Sequence, residues 1–321
     1  MRKVIGIGET ILDIIFRGDQ PSAAVPGGSV FNGIVSLGRM GVNVGFISET
    51  GNDRVGNIIL QFMRENHIPT DHVNVFPDGK SPVSLAFLNE QSDAEYIFYK
   101  DYPKQRLDVI YPKLEEDDIV VIGSYYALNP VLREKVLELL DQAREKKAIV
   151  YYDPNFRSSH KEEAIKLAPT IIENLEYADI VRGSQDDFFY MYNLREADKI
   201  YKDKIKFYCP NFLCTAGAEK IALRTASVSK EYDIPPLKAV STVGAGDIEL
   251  KGLYERIEAI GYKMVVDDEA KRFLAAKGYD VKPSGTRLSV TAWNLPQKSA
   301  KATAIRCQTS LRRDANIEGL L

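Results

Sequence analysis

The amino-acid sequence predicts an α/β protein, a doubly wound, mostly parallel sheet flanked by helices and topped by a small β lid. Three observations lead there. Short β-branched runs alternate with longer segments of helical periodicity. One interval inside that alternation has the pattern of a hairpin. A run of small residues near position 245 joins an extended segment to a helical one.

The candidate strands are VIGIG at 4–8, VGFIS at 44–48, DIVVIG at 118–123, AIVYYD at 148–153, ADIVRG at 178–183 and KFYCPNFLC at 206–214. Between them SVFNGIVSLGRMG, RVGNIILQFMREN and PVLREKVLELLDQAREKK space apolar residues by three and four, as helices facing a core do. Strands separated by such helices pair in parallel. The exception is SPVSLAFLNEQSDAEYIFYK at 81–100, which alternates around a turn-rich NEQSD and predicts a hairpin. With residues 11–24 it makes the lid, placed over the carboxyl ends of the strands, where open α/β sheets bind ligands.

The chain has 321 residues, 45% of them hydrophobic and 27% charged, and a formal charge of -3. The length allows one large domain with an appendage, or two domains. This charge disfavours a polyanionic partner, so no nucleic acid is expected. Cys209, Cys214 and Cys307 are odd in number and lack CxxC spacing, which suggests neither a disulfide framework nor a zinc ribbon. His67, His72 and His160 form no ligand cluster in sequence. No segment reaches the roughly 18 uncharged apolar residues of a membrane span. The expectation is a cytoplasmic protein with no membrane partner.

Ser241-Thr242-Val243-Gly244-Ala245-Gly246-Asp247 follows IPPLKAV and opens IELKGLYERIEAI. Small residues at Gly244, Ala245 and Gly246 let a backbone approach phosphate closely, and a helix start behind them offers free N–H donors. Asp247, one step into that helix, would then stand where it can take a proton from an attacking hydroxyl. Taken alone, the same residues equally fit a tight turn with Asp247 as a first-turn acid.

The stretch STVGAGD resembles the signature of ribokinase-like (PfkB) sugar kinases, and other stretches resemble that family in the same order along residues 1–247. Gly8-Glu9 and Asp13 follow the first strand, and Pro26-Gly27-Gly28-Ser29 leads into a helix bearing Asn32. The resemblance implies that Asp13, Gly27, Gly28 and Asn32 hold the sugar, and a polyol does need such directional acceptors and donors. Asp153-Pro154-Asn155-Phe156-Arg157 is similar to the DPNxR stretch of fructokinase-like members, which implies that Arg157 is a substrate-side cation able to neutralise phosphate charge; a plain surface arginine would look the same. Ser184-Gln185-Asp186-Asp187 stands where relatives carry Asn-x-x-Glu near magnesium, so Ser184 and Asp187 become candidates at the ATP site and Asp187 at the metal. Ser184 fits a helix N-cap equally well. Cys214-Thr215-Ala216-Gly217 resembles the T-x-G beside the nucleotide phosphates and adds Thr215 and Gly217; an ordinary turn would look the same. Ser241 replaces the usual Asp of the signature, which weakens any inference of a monovalent-cation site.

Beyond Asp247 the pattern departs from that family. Residues 257–282 resemble the C-terminal subdomain of Clp-type AAA+ unfoldases, but no GxxxxGK[ST] loop accompanies them. From Pro283 to Arg313 there is no Asp or Glu. The expected organisation is therefore a kinase domain over 1–247 and an atypical segment over 248–321, read as chimeric or frameshifted.

The function expected from the resemblance is ATP-dependent phosphorylation of a sugar hydroxyl, fructose or a related ketose, with Mg2+ and with homodimer formation through exposed lid edges. The alternative is a sugar-binding protein whose altered C-terminus disables the nucleotide site. A nicotinamide dehydrogenase is disfavoured, because Gly6 and Gly8 lack the third glycine of GxGxxG at Ile11.

Overall fold

The structure is a computed structural model that describes residues 2–88, 94–217, 219–233, 280–284 and 287–291. The chain divides into two compact units, Met1–Lys251 and Gly252–Leu321.

Among the described residues the first unit contains a nine-stranded sheet. Its strands are β1 (Val4–Ile7), β4 (Val44–Gly51), β5 (Val73–Phe76), β8 (Ile119–Gly123), β9 (Ile149–Asp153), β10 (Ile180–Ser184), β11 (Phe212–Ala216), β12 (Lys220–Arg224) and β13 (Ser229–Asp233). Their order is β13-β12-β11-β10-β9-β8-β1-β4-β5. Pairing is parallel from β5 to β11 and antiparallel across β11–β12 and β12–β13. Every residue of β1, β4 and β8 is buried, as expected for strands covered on both faces. The chain winds one way from β1 to β4 and β5, and the other way from β8 to β11. The reversal falls at β1, between β4 and β8.

The helices are α1 (Ser29–Arg39), α2 (Arg54–Glu65), α3 (Arg133–Lys146), α4 (Ala164–Tyr177), α5 (Gln185–Tyr192) and the short α6 (Ala197–Ile200). They start and stop on local chemistry. The Asp53 side chain caps α2 at Gly56 N–H, 2.8 Å away. α3 ends on Lys147 and α5 on Asn193, both left-handed.

The lid is a second sheet of four strands, β2 (Ile11–Arg17), β3 (Gln20–Gly27), β6 (Lys80–Leu88) and β7 (Ala94–Asp101), in the order β3-β2-β6-β7. β2 and β3 follow β1, and β6 and β7 follow β5. β2–β6 is parallel while the other two pairs are antiparallel. The predicted turn at 89–93 lies outside the described residues.

One expected strand is corrected. Residues 206–214 were read as a single strand, but β11 begins only at Phe212. Tyr201–Ile205 is helical, Cys209 N–H bonds back to Ile205 O at 2.9 Å, and Pro210 has no N–H to give a ladder. The apolar residues there serve packing instead: Cys209 is buried, and Tyr201 stacks on Phe212 with centroids 6.1 Å apart. In the second unit, β14 (Asp280–Ser284) and β15 (Arg287–Thr291) form an antiparallel pair.

Asp53 ties a lid strand to this framework, since it also accepts from Ser81 N–H at 2.9 Å and Ser81 Oγ at 2.7 Å. Burial works to raise its carboxyl, but the hydrogen bonds from Gly56 and Ser81 outweigh it and hold the pKa below the ordinary 3.8. A depressed carboxyl stabilises fully above its unfolded pKa and loses that contribution as pH falls through the folded value. Asp53→Ala should therefore cost about 1–2 kcal/mol in urea unfolding at pH 7, with the gap to the parent shrinking below about pH 4.

Candidate active site

Two polar clusters stand out, one formed by the lid and the helix that follow β1, the other at the carboxyl ends of β9 to β11. The first is built by the lid and the start of α1. Asp13 lies on β2, Gly27 closes β3, Gly28 precedes α1, and Asn32 sits in the first turn of α1. Strand pairing sets Asp13 beside Ser84 on β6, and Ser84 Oγ donates to Asp13 Oδ1. A methyl group on Gly27 would come 2.4 Å from Asp13 Oδ2 and 3.8 Å from Asn32 Oδ1, so carboxylate and amide flank bare backbone. Gly28 has φ +137, and a Cβ there would lie 2.2 Å from Glu9 O. Only glycine fits such an approach. Burial raises the Asp13 pKa, the Ser84 hydrogen bond lowers it and Glu9 raises it, and the net direction is upward.

Opposite Asp13 on the lid, Tyr96 and Phe98 of β7 stack with centroids 5.8 Å apart. The charges of both Asp13 and Arg157 act on the Tyr96 hydroxyl, whose pKa is raised chiefly by burial. Arg157 itself is exposed, just after the turn that ends β9. That turn is fixed by Asp153 Oδ1 accepting from Asn155 N–H at 3.1 Å.

The second cluster joins the ends of β9, β10 and β11. Arg182, nearly buried on β10, donates to Asp153 Oδ2 at 3.0 Å and to Thr215 Oγ1 at 3.3 Å. Ser184 and Asp187 form a capping box at the start of α5: Asp187 N–H donates to Ser184 Oγ at 3.1 Å, and Ser184 N–H to Asp187 Oδ2 at 2.6 Å. Asp187 is 4% exposed, and its carboxyl is pushed up to about 6 by burial first and by Asp153 second. Register places Ser184 beside Thr215. Gly217 lies one residue beyond β11, in a left-handed turn with open space around it. Gly244, Ala245, Gly246 and Asp247 lie outside the described residues.

Among the described residues no group of three or more His, Cys, Asp or Glu could hold a metal ion. Nor is any helix there long and apolar enough to cross a membrane.

The structure thus brings Asp13, Gly27, Gly28 and Asn32 into one cluster, and Ser184, Asp187 and Thr215 into another. Sequence reasoning missed Ser84, Tyr96 and Arg182. An arginine inside the apolar run ADIVRG was a usable signal, because a charge buried in a central strand requires a partner. Ser84 gave none, because its role follows from a pairing 71 residues away in the chain.

Residues 1–249 match the family model of the pfkB family carbohydrate kinases. The chain belongs to this family. A probable chloroplastic fructokinase of Arabidopsis thaliana is 23% identical over 286 residues, covering 84% of this chain and 73% of that protein. The fold is similar to that of a fructokinase from Vibrio cholerae O395 in its fructose, ADP and calcium ion bound form. There the TM-score is 0.70 at 23% identity, over 80% of this chain and 84% of that one. It is also similar to an uncharacterized sugar kinase from Pyrococcus horikoshii in complex with ATP, with a TM-score of 0.65 at 22% identity, over 80% and 85% of the two chains.

As a pfkB carbohydrate kinase the protein is a sugar kinase with the α/β sheet and lid expected from its sequence. The resemblance of 257–282 to Clp-type unfoldases receives no support from these comparisons. So short a strand-then-helix pattern recurs in many folds and carries little information about any one of them.

Arg182 is the shared cation of the second cluster. Arg182→Met should destabilise the protein by about 3 kcal/mol at neutral pH, because it leaves buried carboxylate charge uncompensated. Adding Asp153→Asn should recover part of that loss in the same urea titration.

Proposed function

We propose that this kinase transfers the γ-phosphoryl group of ATP to the terminal hydroxymethyl of a ketose, with fructose the favoured acceptor. The observation that carries the reading is the convergence of Asp13, Asn32 and the bare Gly27–Gly28 backbone under the lid, at the point where strand order reverses. Asp13 accepts from sugar hydroxyls, Asn32 can donate and accept, and the glycine pair leaves room for the ring. Tyr96 and Phe98 give the lid an apolar wall. Arg157 supplies a cation on the facing side. The fructose and ADP bound by the Vibrio cholerae relative, and the probable fructokinase activity of the Arabidopsis one, support this acceptor.

In the proposed reaction Asp247 takes the proton of the acceptor hydroxyl as its oxygen attacks the γ-phosphorus and ADP leaves. The backbone amides of Gly244, Ala245 and Gly246 stabilise charge on the transferring group. Thr215 and Gly217 border the nucleotide phosphates, and Ser184 and Asp187 stand beside them. Mg2+, when bound, would neutralise phosphate charge. The residues present would fit such an ion: Asp153 and Asp187 are near enough for the first to raise the pKa of the second, so their carboxylates could offer oxygens to an ion that keeps most of its waters. Asp187 would then act through water, with Ser184 holding its carboxylate in place.

A second reading has its own observation. The family match ends at residue 249, two residues past Asp247, which supports a protein whose residues 1–247 bind sugar while an altered C-terminus abolishes productive ATP binding. Among the described residues β3 and β7 are the outer strands of the lid, and β7 exposes Ile97 and Tyr99 on the face away from Asp13. We take these edges as a homodimer surface, to be checked by sedimentation equilibrium, where a monomer at all concentrations would refute it. The cytoplasmic assignment rests on the sequence, whose three cysteines are odd in number and lack CxxC spacing, and fractionation of cells tests it.

A coupled ADP-release assay with Mg-ATP and fructose, ribose, 2-keto-3-deoxygluconate or adenosine decides the main reading. Turnover is expected with fructose, and Asp247→Asn should lower kcat by about 100-fold or more. Near-parental turnover in that variant would remove Asp247 as the base. Sugar binding without turnover would select the second reading.

A further inference from the structure

Glu49 lies at the carboxyl end of β4, 1% exposed, and no role described so far uses it. A carboxylate at that depth must be surrounded by donors. Arg106 pairs with it through Nε at 2.8 Å and through the neighbouring guanidinium nitrogen. Leu107 N–H donates to its other oxygen at 3.0 Å, and the Tyr126 hydroxyl approaches at 3.3 Å.

Three of these four donors belong to residues 106 and 107, on the segment by which the chain leaves lid strand β7 and returns to the main sheet. Leu107 is fully buried with φ +52, a left-handed backbone that is costly for a branched apolar residue. Such a conformation persists only where its surroundings over-determine it. Glu49 supplies that constraint by holding the Leu107 amide and the side chain of the preceding residue together.

The anchor extends to the sugar side. The Arg106 guanidinium lies 3.4 Å from the centroid of the Tyr102 ring. The Tyr102 hydroxyl donates to Glu9 Oε1 at 2.5 Å, and Lys100 Nζ on β7 pairs with Glu9 Oε2 at 2.8 Å. Burial, and then Glu9, push the Tyr102 pKa upward, which keeps the hydroxyl a donor. The backbone carbonyl of Glu9 is the atom that the Gly28 backbone approaches so closely. A continuous path of contacts therefore runs from Glu49 through Arg106, Tyr102 and Glu9 to the Gly27–Gly28 turn.

We propose that Glu49 is a positioning residue for the sugar: through Arg106 and Tyr102 it fixes the returning end of β7 and Glu9 against the Gly27–Gly28 turn. It thereby sets affinity for the sugar and leaves affinity for the nucleotide unchanged. The claim about affinity rests on the sugar-side assignment above. A well-packed apolar pair could fill the same volume in the core, so burial alone does not explain the pair. Only a charged acceptor holds the Leu107 amide and orients Arg106 over Tyr102 at once.

The test uses Glu49→Gln, Tyr102→Phe and the double variant. Tyr102→Phe removes one hydroxyl at the far end of the path while keeping the ring beneath Arg106 and every hydrogen bond to Glu49, so it remains informative if Glu49→Gln folds poorly. Each single variant should speed amide exchange of residues 95–107 by about tenfold or more while β8 and β9 stay within about twofold of the parent. Each should also raise KM for the sugar about tenfold, with KM for ATP and kcat within about twofold. Because the two residues act in series, the double variant should be no worse than the more impaired single. A loss of thermal stability with sugar KM unchanged, additive effects in the double variant, or a silent Tyr102→Phe would overturn the proposal. If the parent turns over no sugar, the kinase assignment fails on its own. Exchange then decides the anchor: acceleration confined to 95–107 supports it, and unchanged or uniform exchange overturns it.

Discussion

The reversal of strand order at β1 is the constraint from which the rest of the site follows. With β4 on one side and β8 on the other, the connections leaving the carboxyl ends of these strands diverge over opposite parts of the sheet and leave a crevice between them. Both lid hairpins are inserted at this edge, after β1 and after β5. The parallel pairing of β2 with β6 joins the two insertions into one sheet, and its register is what delivers Ser84 to Asp13. Close packing beneath holds β1 in place: a Cβ on Gly6 would come 2.7 Å from Ile34 of α1, which brings that helix and its Asn32 against the strand.

Charge is handled differently at the two clusters. In the cluster at the ends of β9, β10 and β11, Arg182 lies between Asp153 and Thr215, on neighbouring strands, so the sheet sets the spacing. In the cluster beneath the lid the charged groups belong to the lid and its returning segment, where Lys100 and Tyr102 converge on Glu9. A lid can move on the microsecond-to-millisecond scale typical of substrate closure, whereas strand ends cannot. The Glu49–Arg106 pair stands where the segment returning from the lid meets the main sheet.

Much of this was legible in the sequence because it rests on local signals. The alternation of strands and helices, the PGGS turn and the S-x-x-D cap at 184–187 each place their own residues. What was not legible depends on contacts distant in the chain. Ser84 matters through its pairing with β2, Arg106 through a carboxylate 57 residues earlier, and the left-handed Leu107 through the same group. The run 206–214 misled because tyrosine and cysteine bury equally well in a turn and in a strand, and Pro210 was the signal against a continuous ladder.

The central claim is that sugar binds beneath the lid, against Asp13, Asn32 and the Gly27–Gly28 backbone. Amide exchange with and without saturating fructose tests this most directly, because it reports location without requiring turnover. The account predicts slower exchange in peptides covering 9–32 and 81–101, with β11 to β13 unchanged. Protection confined to the β11 to β13 edge, or none at all in a protein that binds fructose by calorimetry, would contradict it.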